Sequence, residues 1–238
     1  RRTWTLWRSS RVARRVALPM FHVKHRSKGR GAAVSDRELL MRTLGRLSLE
    51  ATPPQVDALL ELTRELTFWA PQLGLSTLRD ENVVLIRHVL DSLLLTPLVE
   101  PPSTLLDIGT GAGLPAVPLA IVWPQCQVVA MDSKRKSHWL VSRLATQLGL
   151  DNLQHACIRA DAEEAQKALA GQMSLVTCRG LARIDRALDL CRPFRAPGGC
   201  IAVLGGPDLD ERPLDDGQEL RTVAIPGADW RRRILLER

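Results

Sequence analysis

Apolar residues at helical spacing predict three helices in the first half of the chain. Each run of leucine and valine follows a residue that can cap a helix, and the first run follows Ser35-Asp-Arg-Glu38, which has the capping-box pattern. The second run has Pro53 at its first helical position, where proline is tolerated. Residues 35–100 are therefore predicted to be all-helical. The predicted helices begin near Ser35, Thr52 and Asp80.

From residue 104 the pattern changes to short apolar runs separated by glycine-rich turns and amphipathic stretches. Strands that alternate with helices in this way predict an α/β fold with a doubly wound, mostly parallel sheet. Two late runs, 222–225 and 232–236, are interpreted as strands that are antiparallel at the end of the sheet. The other strands are predicted at residues 104–108, 127–131, 153–158, 174–178 and 200–204, the last after a turn at Pro197-Gly-Gly, with helices at 114–123 and 134–148.

The chain has a basic N-terminal tail, and the remaining residues are nearly neutral in sum. The net charge is +7, yet residues 1–30 hold ten Lys and Arg and no acid, which leaves 23 basic and 26 acidic residues elsewhere. We interpret residues 1–31 as a disordered basic tail, residues 32–100 as a helical lobe and residues 101–238 as the α/β domain that binds a cofactor. Residues 1–19 precede Met20 and are interpreted as an upstream extension, with an arginine-rich transit peptide as the alternative.

Two classes of protein are disfavoured by composition. No apolar run approaches the ~18–20 residues that a membrane-spanning helix needs, so we expect a cytoplasmic protein that does not contact the membrane. The five cysteines form no C-x-x-C pair and no cluster with histidine. We therefore predict no metal site.

The candidate chemistry lies in Asp107-Ile-Gly-Thr-Gly-Ala-Gly-Leu114, between the first strand and its helix. The G-x-G-x-G spacing differs from the G-x-G-x-x-G of dinucleotide sites, so it suits a cofactor without a pyrophosphate. Asp107 can accept a cationic amino-acid end, directly or through water, and Asp132 at the end of the second strand can accept ribose hydroxyls. These features favour S-adenosylmethionine. A nicotinamide-dependent oxidoreductase and a glycine turn without a ligand remain the alternatives.

Three segments of this sequence resemble the RsmG (GidB) family of methyltransferases. They are Ile86-Arg-His-Val-Leu-Asp-Ser92, the glycine segment extended through Pro115 to Pro118-Leu-Ala, and Asp132-Ser133 with the basic helix that follows. Phe21-His-Val-Lys-His25 and Arg179 give weaker support. The resemblance implies a class I methyltransferase (Rossmann-like) fold and transfer of a methyl group from S-adenosylmethionine to N7 of a guanine in 16S ribosomal RNA, near the decoding site.

The resemblance also implies site residues by position. Ala160 and Asp161 match a dipeptide at the adenine, and Arg179 matches an arginine that borders the methionine end and the guanine pocket. The predicted cofactor-binding residues are Asp107, Gly109, Gly111, Gly113, Leu114, Asp132, Ala160, Asp161 and Arg179.

The sequence departs from the family's usual pattern at four points. Cys178-Arg179-Gly180 replaces Ser-Arg-Ala, and Ala116 replaces a glycine. Leu75-Ser-Thr77 replaces Asn-Leu-Thr, and Leu204-Gly-Gly206 lacks a lysine that commonly follows the fifth strand. The last two departures concern how the RNA is held rather than the cofactor site.

Guanine N7 carries a free lone pair, so the implied reaction needs no general base and we predict no catalytic acid or base. RNA contacts are predicted at Arg87, His88 and Asp91, with a local i, i+4 pair beside a packed histidine as the alternative. Lys134, Arg135 and Lys136 are predicted to touch RNA phosphates, with a solvated helix face as the alternative.

The expected partner is 16S rRNA or the small ribosomal subunit, with no obligate protein partner. A methyltransferase acting on another RNA or a small molecule, and an RNA-binding module with a decayed cofactor site, are the rival interpretations.

Overall fold

The protein contains one seven-stranded sheet in the computed structural model, which describes residues 35–180, 183–205, 209, 213–225 and 231–238. The predicted tail, residues 1–31, lies outside the described residues. The strands are β1 (Thr104–Ile108), β2 (Gln127–Met131), β3 (Leu153–Ala156), β4 (Met173–Arg179), β5 (Arg195–Gly205), β6 (Gln218–Ala224) and β7 (Arg231–Glu237). Their order is β3-β2-β1-β4-β5-β7-β6.

Strands β1 to β5 are parallel, and β7 runs antiparallel between β5 and β6. The doubly wound, mostly parallel sheet is therefore confirmed, as are the late antiparallel strands. Because the order reverses at β1, right-handed crossovers place helices on both faces of the sheet. The same reversal of the strand order makes the carboxyl ends of β1 and β4 a topological switch point, where such sheets bind ligands.

The helices that surround the sheet begin near the predicted residues. They are α1 (Asp36–Arg46), α2 (Pro53–Gln72), α3 (Glu81–Val84), a π-helical turn (Leu85–Leu90), α4 (Asp91–Leu93), α5 (Ala116–Val122), α6 (Arg135–Gln147), α7 (Glu163–Leu169) and α8 (Ile184–Cys191), and a 3₁₀ turn covers Arg192–Phe194. Within the described residues, no helix is both long and apolar enough to cross a membrane.

The first three predicted helices pack on the sheet through a shared core. The buried face of α2 contributes Leu59, Leu62 and Leu66, which belong to one hydrophobic cluster with residues of α5 and α6. Gln55 Nε2 also donates to the carbonyl oxygen of Ile121, 2.9 Å away. Residues 35–238 form one compact unit, and the division into a lobe and a domain at residue 100 stays a prediction.

Two local features differ from the sequence prediction. The turn expected at Pro197-Gly-Gly lies inside β5, which starts at Arg195, and the register with β4 shifts between Met173 and Leu175. Met173 pairs with Arg195 and Leu175 with Cys200, so Pro197-Gly-Gly lies in a bulge of β5, and regular pairing resumes at Cys200, where the strand was predicted to start. Gly198 has a positive φ of 72°, and a side chain at Gly199 would lie 2.9 Å from the carbonyl oxygens of Ala196 and Met173. The predicted third helix contains the π-helical turn, a geometry that often occurs at functional sites.

Asn152 fixes the end of α5 against the sheet. Its side chain is buried, and Nδ2 lies 3.1 Å, 3.2 Å and 3.0 Å from the carbonyl oxygens of Ala120, Trp123 and Cys126. These acceptors are last-turn and loop carbonyls with few other partners, because a helix end leaves its final carbonyls unpaired.

We expect Asn152→Ala to lower the free energy of unfolding by about 1–3 kcal/mol, since it removes the side-chain donor from the buried carbonyls of Ala120 and Cys126. The Trp123 carbonyl keeps its hydrogen bond from the Cys126 amide. Asn152→Asp should cost more, because a carboxylate would face three carbonyl oxygens. Urea denaturation measures both changes. Asn82→Ala is the control, because Asn82 makes an exposed contact to Asp36, and its loss should stay within about 0.5 kcal/mol. Equal losses at the two positions would contradict this role of Asn152.

Candidate active site

A glycine loop joins β1 to α5 at the switch point of the sheet. Gly109, Gly111 and Gly113 have positive φ angles of 72°, 56° and 89°, a region that residues with a side chain rarely adopt. A Cβ on Gly113 would lie 2.5 Å from Cγ2 of Val117. The third glycine is therefore required for the loop to pack closely against its helix.

Asp132 holds this loop from the end of the neighbouring strand. Its Oδ2 accepts a hydrogen bond from the Gly111 amide at 2.9 Å, and its Oδ1 accepts one from the Lys134 amide at 2.8 Å. A Cβ on Gly111 would find no heavy atom nearer than the Gly109 carbonyl oxygen at 3.9 Å. The loop thus presents bare peptide to open space beside a partly exposed carboxylate.

A cavity of about 220 Å³ adjoins the loop. It brings together four of the predicted cofactor residues, Gly109, Asp132, Ala160 and Asp161, from three separate segments of the chain. Gly113 and Leu114 are buried in the loop and do not line this cavity. Their contact with the cofactor stays a prediction.

Two arginines hold the carboxylate at the far side of this cavity. Arg159 donates to both oxygens of Asp161 at 2.9 Å, and Arg186 approaches it at 3.5 Å. The hydrogen bonds from Arg159 hold the pKa of the Asp161 carboxyl below its ordinary value. The contact from Arg186 could not be predicted from the sequence, because nothing in the pattern relates α8 to this loop.

Asp107 lies beneath the loop and is fully buried. Burial raises the pKa of its carboxyl to about 6, although hydrogen bonds from Thr177 Oγ1 at 3.1 Å and the Ala116 amide at 3.4 Å act in the opposite direction. Arg179 also favours the charged form. The carboxylate connects β1 to β4 and to the first turn of α5, and it does not reach the surface.

A second cavity, which we call the arginine cleft, opens beside the first at the carboxyl ends of β4 and β5. Its volume is about 1030 Å³. It contains two of the predicted RNA-contacting residues, Arg87 and His88, together with the predicted cofactor residue Arg179. The other cations that line it, none of them identified from the sequence, are Arg79, Arg231, Arg232 and Arg233.

Asp91, the third predicted RNA contact on this helix, forms the base of the arginine cleft rather than its surface. Its side chain is fully buried, and its two oxygens accept hydrogen bonds from Arg232 Nε at 2.6 Å and Nη2 at 3.0 Å. Arg179 Nη1 lies 3.3 Å from Asp91 Oδ2. Asp91 therefore pairs with arginines of β4 and β7, because a buried charge requires close opposite charges.

Two further contacts fix the arginines of this group. Arg232 Nη1 donates to the carbonyl oxygen of Gly205 at 2.9 Å, which places a cation at the end of β5 where the family's usual lysine is missing. Arg179 Nη2 donates to the carbonyl oxygen of Arg87 at 2.9 Å and lies 3.2 Å from His88 Nδ1. The sequence signal for Arg232 was only its place in a run of three arginines.

His88 lies between a hydroxyl and a guanidinium. Its Nε2 is 2.9 Å from Ser76 Oγ, and its Nδ1 faces Arg179. Burial, and then the charge of Arg179, lower the pKa of His88 to about 4. The ring is therefore neutral at pH 7.

The remaining predicted RNA contacts, Lys134, Arg135 and Lys136, are exposed at the start of α6. They line neither the smaller cavity nor the arginine cleft. Their role is not decided by this geometry and stays a prediction.

Comparison with known proteins shows the family. Residues 55–221 match the family model GidB, "rRNA small subunit methyltransferase G". A protein of Leptothrix cholodnii named ribosomal RNA small subunit methyltransferase G is 31% identical over 212 residues, covering 84% of this chain and 94% of that protein. A protein of the same name from Francisella philomiragia is 29% identical, covering 86% of this chain and 98% of that protein. Another, from an Anaeromyxobacter species, is 34% identical and covers 74% of this chain and 80% of that protein. The chain therefore belongs to the GidB family of small-subunit rRNA methyltransferases.

Proposed function

We propose that this protein transfers a methyl group from S-adenosylmethionine to N7 of a guanine in 16S ribosomal RNA, near the decoding site. The observation that carries the proposal is the glycine loop held by Asp132 at the switch point of a doubly wound sheet, in a chain of the GidB family. The substrate is 16S rRNA, free or within the small ribosomal subunit, and the reaction takes place in the cytoplasm. We propose that the protein acts without contact to a membrane and without an obligate protein partner.

The residues around the smaller cavity fit the adenosine end of the cofactor. Asp132 makes two hydrogen bonds to backbone amides, and a carboxylate with about four acceptor sites retains capacity for ribose hydroxyls. Asp161 can accept from the exocyclic amine of adenine, while the Ala160 amide can donate to the ring. At about 220 Å³ the cavity is below the ~300–1,000 Å³ of most small-molecule sites, so it would enclose part of the cofactor while the open space above Gly111 takes the rest.

The methionine end would lie over the two buried charges of the switch point. Asp107 provides a negative field for the ammonium group, and Arg179 a guanidinium for the carboxylate. Gly113 and Leu114 shape the loop that faces this end. These residues are electrostatic and positioning groups, and none needs to exchange a proton.

The cofactor supplies an electrophilic methyl group on a sulfonium, and the guanine supplies the N7 lone pair. Transfer of this methyl group to N7 would leave the demethylated cofactor and move a positive charge to the base, so no residue of the protein would need to accept or donate a proton. The protein's contribution is alignment of the reacting atoms at ~3–3.5 Å and fixed dipoles and charges around the moving charge. Arg87 and His88, on the wall of the arginine cleft, are proposed to position the guanine.

Two other groups extend the proposed RNA site. Asp91 is proposed to act through Arg179 and Arg232 as a positioning residue. The exposed run Lys134, Arg135 and Lys136 is proposed as a second surface for RNA phosphates.

Deletion of the gene tests the assignment directly. We expect N7-methylguanine to disappear from the decoding-region loop of 16S rRNA, and to return when the wild-type gene is supplied on a plasmid. Reductive cleavage of the modified base maps it at nucleotide resolution. Persistence of the modification in the deletion strain would refute the proposed substrate.

Asp132→Asn is expected to weaken binding of S-adenosylmethionine by at least about tenfold, because a hydrogen bond to a charged acceptor contributes about 1.5–3 kcal/mol. The amide keeps the shape of the side chain but loses the charge that holds both Gly111 and the ribose. Titration calorimetry with the cofactor and its demethylated product measures the effect. Asp151→Asn, at an exposed turn, is the control, and a Kd for Asp132→Asn within twofold of wild type would remove Asp132 from the site.

The raised pKa of Asp107 gives cofactor binding a pH dependence. Below pH about 6 the carboxyl of the free protein takes up a proton, and the ammonium end of the cofactor then loses the negative field of the carboxylate unless that proton is released on binding. Affinity should therefore be constant above pH about 6.5 and fall by up to about tenfold per pH unit below the pKa. Calorimetry between pH 5 and 8 measures this profile.

Asp107→Asn is expected to bind more weakly and to lose the dependence on pH. Asp132→Asn should bind more weakly yet keep it, since Asp107 remains. A wild-type affinity that does not change between pH 5 and 7 would show that Asp107 does not sense the cofactor.

A further inference from the structure

The arginine cleft carries an unusual concentration of one side chain. Six guanidinium groups reach it from four segments: the loop before α3, the π-helical turn, the end of β4 and the start of β7. Among the described residues that line it there is no carboxylate. A planar guanidinium presents two parallel N–H groups that match the spacing of phosphate oxygens.

The deepest part of the cleft is fixed before any ligand binds. Asp91 pairs with Arg232 and Arg179, so these three residues together retain one positive charge. Arg232 is also bonded to the Gly205 carbonyl. Guanidinium groups held in this way lose little conformational entropy when an anion arrives.

The positive charge of the cleft does not depend on histidine. His88 is neutral near pH 7, because it is buried and faces Arg179. The ring and the Ser76 hydroxyl provide uncharged hydrogen-bonding groups, and the arginines provide the charge. The preferred ligand is therefore anionic over the whole neutral pH range.

The cleft lies next to the position where the methyl group would be transferred. Cys178, the residue before Arg179, pairs with Ile108, the residue before the glycine loop. An anion in the cleft is thus one strand away from the loop. At about 1030 Å³ the cleft exceeds the space that one small ligand usually fills.

From these observations we infer that the arginine cleft binds the phosphodiester groups of RNA that flank the target guanine. This inference rests on the proposed function, and it identifies the part of the substrate that the cleft recognises. Arg232 forms the deep contact, and Arg79 and Arg231 form the rim. In the described part of the chain, neither rim arginine is joined to a carboxylate by a hydrogen bond or ion pair.

The double variant Arg79→Gln/Arg231→Gln tests the inference without disturbing the Asp91 group. Binding of a labelled single-stranded RNA that contains the target sequence is measured by fluorescence anisotropy between 50 and about 200 mM KCl. Each lost phosphate contact should reduce the slope of log affinity against log salt by about 0.7. We therefore expect the slope to decrease by about 1.4 and the affinity to fall roughly tenfold.

Three controls make this result specific. Arg46→Gln/Arg64→Gln removes the same charge from exposed positions on α1 and α2 and should leave the slope unchanged. The Kd for S-adenosylmethionine should be the same in both double variants and in wild type. With small subunits from the deletion strain, the rim variant should raise KM and leave kcat within about twofold, whereas misfolding would lower kcat.

The outcomes separate this inference from the proposed function. An unchanged salt slope in the rim variant, while wild type still methylates 16S rRNA, would overturn the inference and leave the function intact. Competition by inorganic pyrophosphate without any change in RNA binding would assign the cleft to a free phosphate compound and would also overturn it. A wild-type protein that binds the cofactor but methylates no 16S rRNA would contradict the proposed function itself.

Discussion

A charge that leaves water must be matched by opposite charge or by hydrogen bonds, and this constraint organises the switch point of the protein. Two fully buried carboxylates, Asp107 and Asp91, lie there. Arg179 favours the charged form of Asp107, and its Nη1 lies 3.3 Å from Asp91 Oδ2. Thr177 completes the environment of Asp107, and Arg232 completes that of Asp91. These few polar contacts connect β1, β4, β7, α4 and the first turn of α5.

The same contacts divide the site into two halves with different chemistry. On one side, the glycine loop and Asp132 present backbone and a carboxylate beside a small cavity, which suits a neutral or cationic ligand. On the other side, the arginine cleft is large and positively charged, which suits a polyanion. Arg179 lines the arginine cleft, and its charge also acts on Asp107 beneath the glycine loop. The two halves are therefore linked through the buried charges between them.

Much of this architecture could be predicted from the sequence. The hydrophobic periodicity and the turn residues predicted the parallel sheet and its late antiparallel strands. The spacing of three glycines, together with Asp132 at the end of the second strand, located the loop. Other features could not be predicted. The glycines at 198 and 199 were interpreted as a turn before the fifth strand, and they lie in a bulge inside β5, because a local glycine pattern does not show whether the residues before it also pair with the neighbouring strand.

The sequence by itself determined which elements form and where a cofactor loop lies, because hydrophobic period, caps and glycine spacing act over a few neighbouring residues. Only the tertiary structure decided the partners of the buried charges. Asp91 and Arg232 are 141 residues apart in the chain, and Asp91 was predicted to contact RNA directly. Burial instead requires it to pair with the arginines of β4 and β7, and long-range pairing of this kind leaves no local pattern in a single sequence.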